Sequence, residues 1–359
     1  MRNIILFGGS FDPIHNGHLN MAKIAVDKLK AQNVIFIPNG VSVWKEKETI
    51  PEDKYQMIQL AIKGFKNLKV SRFELNRKDN YTIYTVRHFK EVYPLDNLYF
   101  LIGADQVNEF HRWKEAEEIS KLVRIVYFKR SNVLLSQENI KKYNMQAVEG
   151  PEFDVSSTDV RKLQNIDIPM AVIEYIQDHN LYFMKTINGF IDGKRLEHSK
   201  SVAMLAYRIA IANGINRPWR AYIAGLLHDI GKNVDEDEKK RIEKEYKAYL
   251  PLSDKLYHQF YSAEIAANVF HITDEDIIEA IKYHATGCKN MNPLAMIVYA
   301  SDKIDPKRGY DSQSMIDGML ADYKNGFINV LEENKRHLVL KNKDIDNKLT
   351  KECMSQYLK

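Results

Sequence analysis

Two histidines three residues apart, His15 and His18, lie in the stretch Gly8-Gly9-Ser10-Phe11-Asp12-Pro13-Ile14-His15-Asn16-Gly17-His18. Glycines let a backbone turn tightly and approach a ligand. A helix start offers unpaired N–H groups and a positive dipole end to phosphate. Imidazoles beside such an anion site point to nucleotide phosphate chemistry. A second constellation is of another kind: His198, the adjacent pair His228-Asp229, His258, His284 and Asp302. Imidazole nitrogen and carboxylate oxygen together suit Fe, Mn, Zn or Co. Asp229 has two oxygens and can bridge two ions.

The elements that must hold these residues are legible as patterns. Ile4-Ile5-Leu6-Phe7 reads as a short buried strand, and Leu19 to Lys30 repeats its apolar Leu19, Ala22, Val26 and Leu29 at helical spacing. The first motif is therefore a strand–loop–helix junction. Further apolar runs at 34–37, 98–102 and 122–128 alternate with helix-like stretches at 51–65 and 85–93. That alternation predicts a mainly parallel sheet with helices on both faces. Ligands of such sheets bind at the carboxyl ends of the strands. Gly8 to His18 follows the first strand, Pro38-Asn39-Gly40 and Lys45 the second, and Gly103-Ala104-Asp105 the third. These motifs are expected to converge on one crevice.

Strand signals become rare after Gly189 and Gly193. Stretches at 198–213, 219–229, 262–270, 274–284 and 293–304 read as helices, with Gly214 and Gly231 at expected stops. The metal-binding types fall on successive helices or helix ends, as in a metal site inside a helical bundle. The expected organisation is a domain over 1–184, a linker over 185–193 and a domain over 194–359. Charge runs at 45–48 and 235–240 read as solvated surface.

The chain has 359 residues, 45% of them hydrophobic, enough for two cores. A net charge of +4 at this length gives no reason to expect nucleic-acid binding. The two cysteines, Cys288 and Cys353, make no disulfide or metal framework and suit a reducing compartment. The first residues lack the apolar core of a signal peptide. No apolar run approaches the ~18 residues of a membrane helix. A cytoplasmic protein without membrane attachment is expected. Of the 11 histidines, His88, His111, His179, His271 and His337 show no comparable context and read as non-catalytic.

The first half resembles the bacterial nicotinate mononucleotide adenylyltransferases. The likeness rests on Gly8 to His18, on Tyr81-Thr82-Ile83-Tyr84-Thr85, on Gly103-Ala104-Asp105 followed by Trp113, and on Val155 to Arg161. It implies a Rossmann-like α/β domain that joins ATP to nicotinate mononucleotide and expels pyrophosphate. Such a transfer needs no protein nucleophile, so positioning and charge stabilisation carry it. Gly8, Gly9, Ser10 and Phe11 would cradle phosphate. His15 and His18 would donate to the reacting phosphorus centre. Ser157, Thr158 and Arg161 would form a second anion pocket, and Lys45 would reach a phosphate. Asp105, with Gly103, would take the adenosine ribose. Tyr81, Thr82 and Thr85 belong to the acceptor side. Trp113 would either stack on the pyridine or pack in the core. Mg²⁺ is implied by the triphosphate. Nicotinamide mononucleotide, or another phosphorylated acceptor, is the alternative.

The second half resembles the HD-domain phosphohydrolases, through Leu226-Leu227-His228-Asp229-Ile230-Gly231-Lys232. Tyr283 to Gly287 and Ser301 to Arg308 are similar to a subfamily that hydrolyses diadenosine tetraphosphate symmetrically. The resemblance implies an all-α domain with two divalent transition metal ions, iron or alternatively manganese or cobalt. His198, His228, Asp229 and Asp302 would hold one ion, and Asp229, His258 and His284 the other. Two cations would polarise a phosphoryl group and activate a water. Lys232 and Arg308 would neutralise the polyphosphate, although Lys232 could instead cap its helix. A regulatory nucleotide-sensing module is the alternative reading of this half. The expected partners are small nucleotides, and the oligomeric state is left open.

Overall fold

The computed structural model describes residues 1–40, 49–77, 79–130, 133–247, 250–341, 345 and 347–358. It divides into two units. One comprises residues 1–161 and 167–181, the other residues 162–166 and 182–359.

The first unit is built on a six-stranded sheet in the order β3-β2-β1-β4-β5-β6. The strands are β1 (Asn3–Gly9), β2 (Asn33–Pro38), β3 (Leu68–Val70), β4 (Asn97–Ile102), β5 (Arg124–Phe128) and β6 (Gln146–Val148). Every neighbouring pair is parallel. The central strand β1 shows why continuous apolar runs mark this fold. Ile4, Ile5 and Leu6 point alternately to opposite faces, and all three are fully buried. The order reverses direction between β1 and β4, which makes a topological switch point. The loops after these two strands carry Gly8 to His18 and Gly103 to Asp105. The edge strands β3 and β6 have only three residues each and no apolar run of their own.

The second unit holds no strand among the described residues. The long helix Gly193–Ala212 packs on Trp219–Leu227, and Pro293–Ile304 runs through the middle with nine buried residues. The stretch expected as a linker, 185–193, begins inside the helix Phe183–Asn188, whose Met184 and Ile187 are fully buried. The helix expected over 219–229 ends at Leu227. A 3₁₀ turn, Ile230–Asn233, follows. His228 and Asp229 sit at this junction, where the change of pitch lets two adjacent side chains serve one centre. No helix among the described residues is long and apolar enough to cross a membrane.

Candidate active sites

In the first unit a cavity of about 460 Å³ opens at the ends of β1 and β4. The helix after β1, Asn16–Leu29, starts three residues earlier than its apolar repeat, with His15 as its N-cap. The backbone N–H of His18 donates to Nδ1 of His15 at 3.4 Å. The backbone N–H of His15 donates to Nδ1 of His18 at 3.3 Å. This is a reciprocal capping box made of two imidazoles. The rings stack at 3.6 Å, and a Cβ on residue 17 would come within 2.9 Å of His15 Nδ1, so glycine leaves room for the pair. Burial, with the nearby Arg130 charge, pulls His15 down to about 3. Burial, His15 and Arg130 hold His18 well below its usual value. Both rings are therefore neutral near pH 7. Since each Nδ1 accepts a hydrogen bond, each Nε2 carries the proton. The pair forms two fixed N–H donors on the cavity wall.

Gly8, Gly9, Ser10, Phe11, Thr82, Gly103, Asp105 and Trp113 line the same cavity. Trp113 also packs edge-on against Phe100 at 6.0 Å, so it serves core and cavity together. The structure places other expected residues elsewhere. Ser157 Oγ donates to the Pro13 carbonyl at 2.8 Å. Arg161 donates to the Asp12 carbonyl at 2.5 Å and to Thr158 Oγ1 at 3.0 Å. In this conformation these three residues brace the first loop from behind and do not line the cavity. Thr85 is buried and donates to Glu74 at 2.6 Å. Tyr81 is half exposed and packs under Lys114. Lys45 lies outside the described residues, as does the charge run at 45–48. Two cavity residues had no motif to mark them. Glu74 lies in an aperiodic stretch before Tyr81, and burial pushes its carboxyl up to about 7 against the pull of Thr85 and Lys54. Arg130 follows β5, so the rule of strand carboxyl ends applied to a fourth strand finds it.

In the second unit the six residues singled out as metal ligands come together. Ligand atoms of His198, His228 and Asp229 lie within 4.8 Å of one another, as do those of His228, His284 and Asp302 and of Asp229, His258 and His284. Asp229 Oδ1 is 3.3 Å from Nε2 of both His258 and His284. Its Oδ2 is 3.5 Å from His228 Nε2. Asp302 Oδ1 is 3.1 Å from His198 Nε2 and 3.7 Å from His228 Nε2.

The outer contacts fix which nitrogen faces inward. Nδ1 of His228, His258 and His284 donates to the carbonyls of Gly225, Lys255 and Ile281 at 2.7 to 2.8 Å. Nδ1 of His198 pairs with Asp305 at 2.6 Å, and Ser201 donates to the other oxygen of that carboxylate. The rings of His228, His258 and His284 then present a Nε2 lone pair to the centre. His198 lies between Asp302 and Asp305; burial lowers it, but these carboxylates outweigh burial and raise it to about 9. Nε2 of His258 and Nε2 of His284 are only 3.0 Å apart. His228 Nε2 and Asp229 Oδ1 are buried with no hydrogen-bond partner among the described residues. Converging lone pairs and orphaned buried acceptors fit divalent cations, and the mixed N/O set fits transition metals. Burial pushes the Asp229 carboxyl up, but His228, His258, His284 and Lys232 outweigh it and hold it well below the usual range.

Lys232 pairs with Asp229, and Arg308 with Asp302. Lys303 was not singled out in the sequence. Its Nζ donates to Asp302 Oδ2 at 2.7 Å and to the His284 carbonyl at 3.2 Å. It is the neighbour of a ligand, and only the fold shows that it ties two ligand segments together.

Comparison with known proteins finds two matched regions. Residues 6–163 match the cytidylyltransferase-like family, and residues 195–307 match the HD domain. A Mycoplasma genitalium protein described as a probable nicotinate-nucleotide adenylyltransferase/Ap4A hydrolase is 36% identical over 320 residues, covering 87% of this chain and 90% of the relative. A Mycoplasma pneumoniae protein with the same description is 29% identical over 309 residues, covering 86% and 90%. A Methylacidiphilum infernorum protein described as a probable nicotinate-nucleotide adenylyltransferase is 35% identical over 188 residues. That match covers 50% of this chain and 91% of the relative.

Proposed function

Since this chain belongs to the family of fused nicotinate-nucleotide adenylyltransferase/Ap4A hydrolases, we propose that it carries two separate reactions on adenine nucleotides. The first unit transfers the adenylyl group of ATP to nicotinate mononucleotide and releases pyrophosphate. The second unit hydrolyses a dinucleoside polyphosphate, diadenosine tetraphosphate, to two ADP. One observation carries this reading: each set of chemistry-bearing residues falls within its own unit, and part of each set lines a cavity of that unit.

In the first reaction the Nε2–H groups of His15 and His18 donate to phosphate oxygens where negative charge develops. Neutral imidazoles anchored through Nδ1 need no reorientation to do so. The backbone of Gly8 to Phe11 and the dipole of helix Asn16–Leu29 add to this anion site. Asp105 accepts from ribose hydroxyls. Ser157 and Arg161 keep the loop at 12–13 in place. Lys45 reaches a phosphate, and Mg²⁺ travels with the triphosphate. Tyr81, Thr82 and Thr85 shape the acceptor side.

In the second reaction, when bound, a pair of divalent ions supplies Lewis acidity and lowers the pKa of a water. Residues His198, His228, Asp229 and Asp302 would hold one ion, and Asp229, His258 and His284 the other. We favour iron, with manganese or cobalt as alternatives. Asp305 and the backbone carbonyls keep the imidazole ligands in their ligating tautomer. Lys232, Lys303 and Arg308 neutralise the phosphates. Both reactions suit a cytoplasmic enzyme.

The deciding experiment incubates the purified chain with ATP plus nicotinate or nicotinamide mononucleotide, and separately with diadenosine tetraphosphate plus Fe²⁺, Mn²⁺ or Co²⁺. Products are separated by anion-exchange chromatography. Nicotinate adenine dinucleotide and ADP are the expected products. No nucleotide turnover with any of the metals would turn the second unit into a sensor. Preference for nicotinamide mononucleotide would change the acceptor.

A further inference from the structure

The cavity beside the metal ligands extends well past them. It has a volume of about 1040 Å³, at the upper end for a small-molecule site and far more than a phosphate group needs. Its far wall is one face of the helix Tyr323–Leu340. Val330, Glu333, Asn334, His337 and Leu338 line it at positions i, i+3, i+4, i+7 and i+8. This helix lies outside residues 195–307, the part matched to the HD domain. Its cavity-facing stripe has two apolar residues, Val330 and Leu338, and three polar ones. Asn334 is held by its amide, which donates to the Tyr299 hydroxyl at 2.8 Å.

Tyr310 and Met315 complete this end of the cavity. Gly309 has φ +83 and closes the short turn Pro306–Arg308, so the chain reverses between Arg308 and Tyr310. Arg308 pairs with the ligand Asp302, while Tyr310 is 47% exposed with no aromatic ring packed on it among the described residues. One cavity is thus lined both by the cationic heads of Lys232, Lys303 and Arg308 and by an open aromatic ring beside an apolar and hydrogen-bonding helix face.

We infer that the part of the cavity lined by Tyr310 and this helix face is a purine-nucleoside subsite, in which the base stacks on Tyr310 and its edge is read by Glu333, Asn334 and His337. Exposed aromatic rings are the usual platform for bases, because every base has a π face. The substrate then enters with a nucleoside at the helix Tyr323–Leu340 and its phosphates at the cations. The inference rests on the second unit being a nucleotide polyphosphate hydrolase.

Two measurements on the full chain test it. In the first, Tyr310→Ala and His337→Ala are assayed with diadenosine tetraphosphate, with inorganic tripolyphosphate as competitive inhibitor. The KM of the dinucleotide should rise about tenfold in Tyr310→Ala and stay within about twofold in Tyr310→Phe, while the tripolyphosphate inhibition constant moves by less than about twofold. Equal shifts for both compounds, or no shift in either alanine variant, overturn the subsite. In the second, 8-azido-ADP is photolinked in the presence of Mn²⁺ and the labelled peptides are mapped. Label within 306–341, displaced by ADP but not by ribose 5-phosphate, supports the subsite even if no hydrolysis is seen, and the hydrolase reading alone then fails. Hydrolysis without label in that segment refutes the subsite and leaves the hydrolase reading standing. Neither hydrolysis nor label refutes both.

Discussion

Each imidazole of the His15–His18 pair does two jobs with its two nitrogens. Nδ1 closes the helix start, and Nε2 is left for the proposed phosphate contact. Removing one such donor from a charge-stabilising site costs about 3 kcal/mol. His18→Ala should therefore lower dinucleotide synthesis by about 10² to 10³-fold, measured as product formed from ATP and nicotinate mononucleotide, and leave polyphosphate hydrolysis intact. Asp229→Ala should do the reverse, since its two oxygens face the Nε2 atoms of His258, His284 and His228. Its metal content per chain, read by plasma mass spectrometry, should drop with the hydrolysis. Equal loss of both activities in each soluble variant would refute separate sites. Glu74 gives a pH signature. Its carboxyl is raised from 4.5 to about 7 by burial, so the folded state holds a proton that the unfolded state has lost. Its contribution is fully present below about pH 4.5 and is lost as pH rises through about 7, a change of about 3 kcal/mol. Glu74→Gln should flatten that part of the stability profile in urea titrations between pH 5 and 8. An unchanged slope would show that Glu74 ionises freely.

At the scale of elements, caps and turns aim the chemistry. Asn292 caps the helix that carries Asp302, accepting from the N–H of Ala295 at 2.9 Å. Asn292→Ala should cost about 1 kcal/mol of stability and weaken metal retention against a chelator, while Asn292→Ser should recover most of both. The central strands and five helices of the second unit were legible, because burial on both faces of a parallel sheet leaves apolar runs and burial on one face of a helix leaves a periodicity. The helices Glu236–Lys247, Gln313–Ala321, Tyr323–Leu340 and Lys348–Tyr357 drew no such reading. Helix Pro293–Ile304 begins and ends where its proline and apolar repeat say it should. The edge strands Leu68–Val70 and Gln146–Val148 were not legible, because they bury too little to impose a pattern. The candidate metal cluster could be read from residue types in their motif context, since few residues bind metal, and the fold brings those six side chains together. Glu74, Arg130 and Lys303 could not, because a carboxylate or a cation belongs on any surface until the fold encloses it. Ser157, Thr158 and Arg161 were singled out by motif, yet Ser157 and Arg161 bond to the loop at 12–13 and Thr158 accepts from Arg161, partners that spacing does not reveal.

At the scale of the molecule, each unit should respond to its own ligand. Anything that binds only the folded state raises stability, by about 2.7 kcal/mol at a hundredfold excess over Kd. Mn²⁺ should raise the unfolding transition of the helical unit in calorimetry, and a non-hydrolysable ATP analogue with Mg²⁺ should raise that of the α/β unit. A shift of the whole profile by either ligand alone would mean one cooperative block. The path of the chain has a further consequence. Residues 162–166 belong with the helical unit although 167–181 return to the α/β unit, and Leu163 and Ile166 are fully buried. Within the helical unit, Gln164 donates to the Phe270 carbonyl at 2.6 Å. A single cut in the gene therefore cannot separate the two units along their own borders. A fragment beginning at Tyr182 lacks the five-residue strip from 162 to 166, and the complementary fragment carries that strip without the rest of its unit. Fragments meant to isolate either unit should be compared with and without this strip, and loss of stability on removing it would show that it is a working seam.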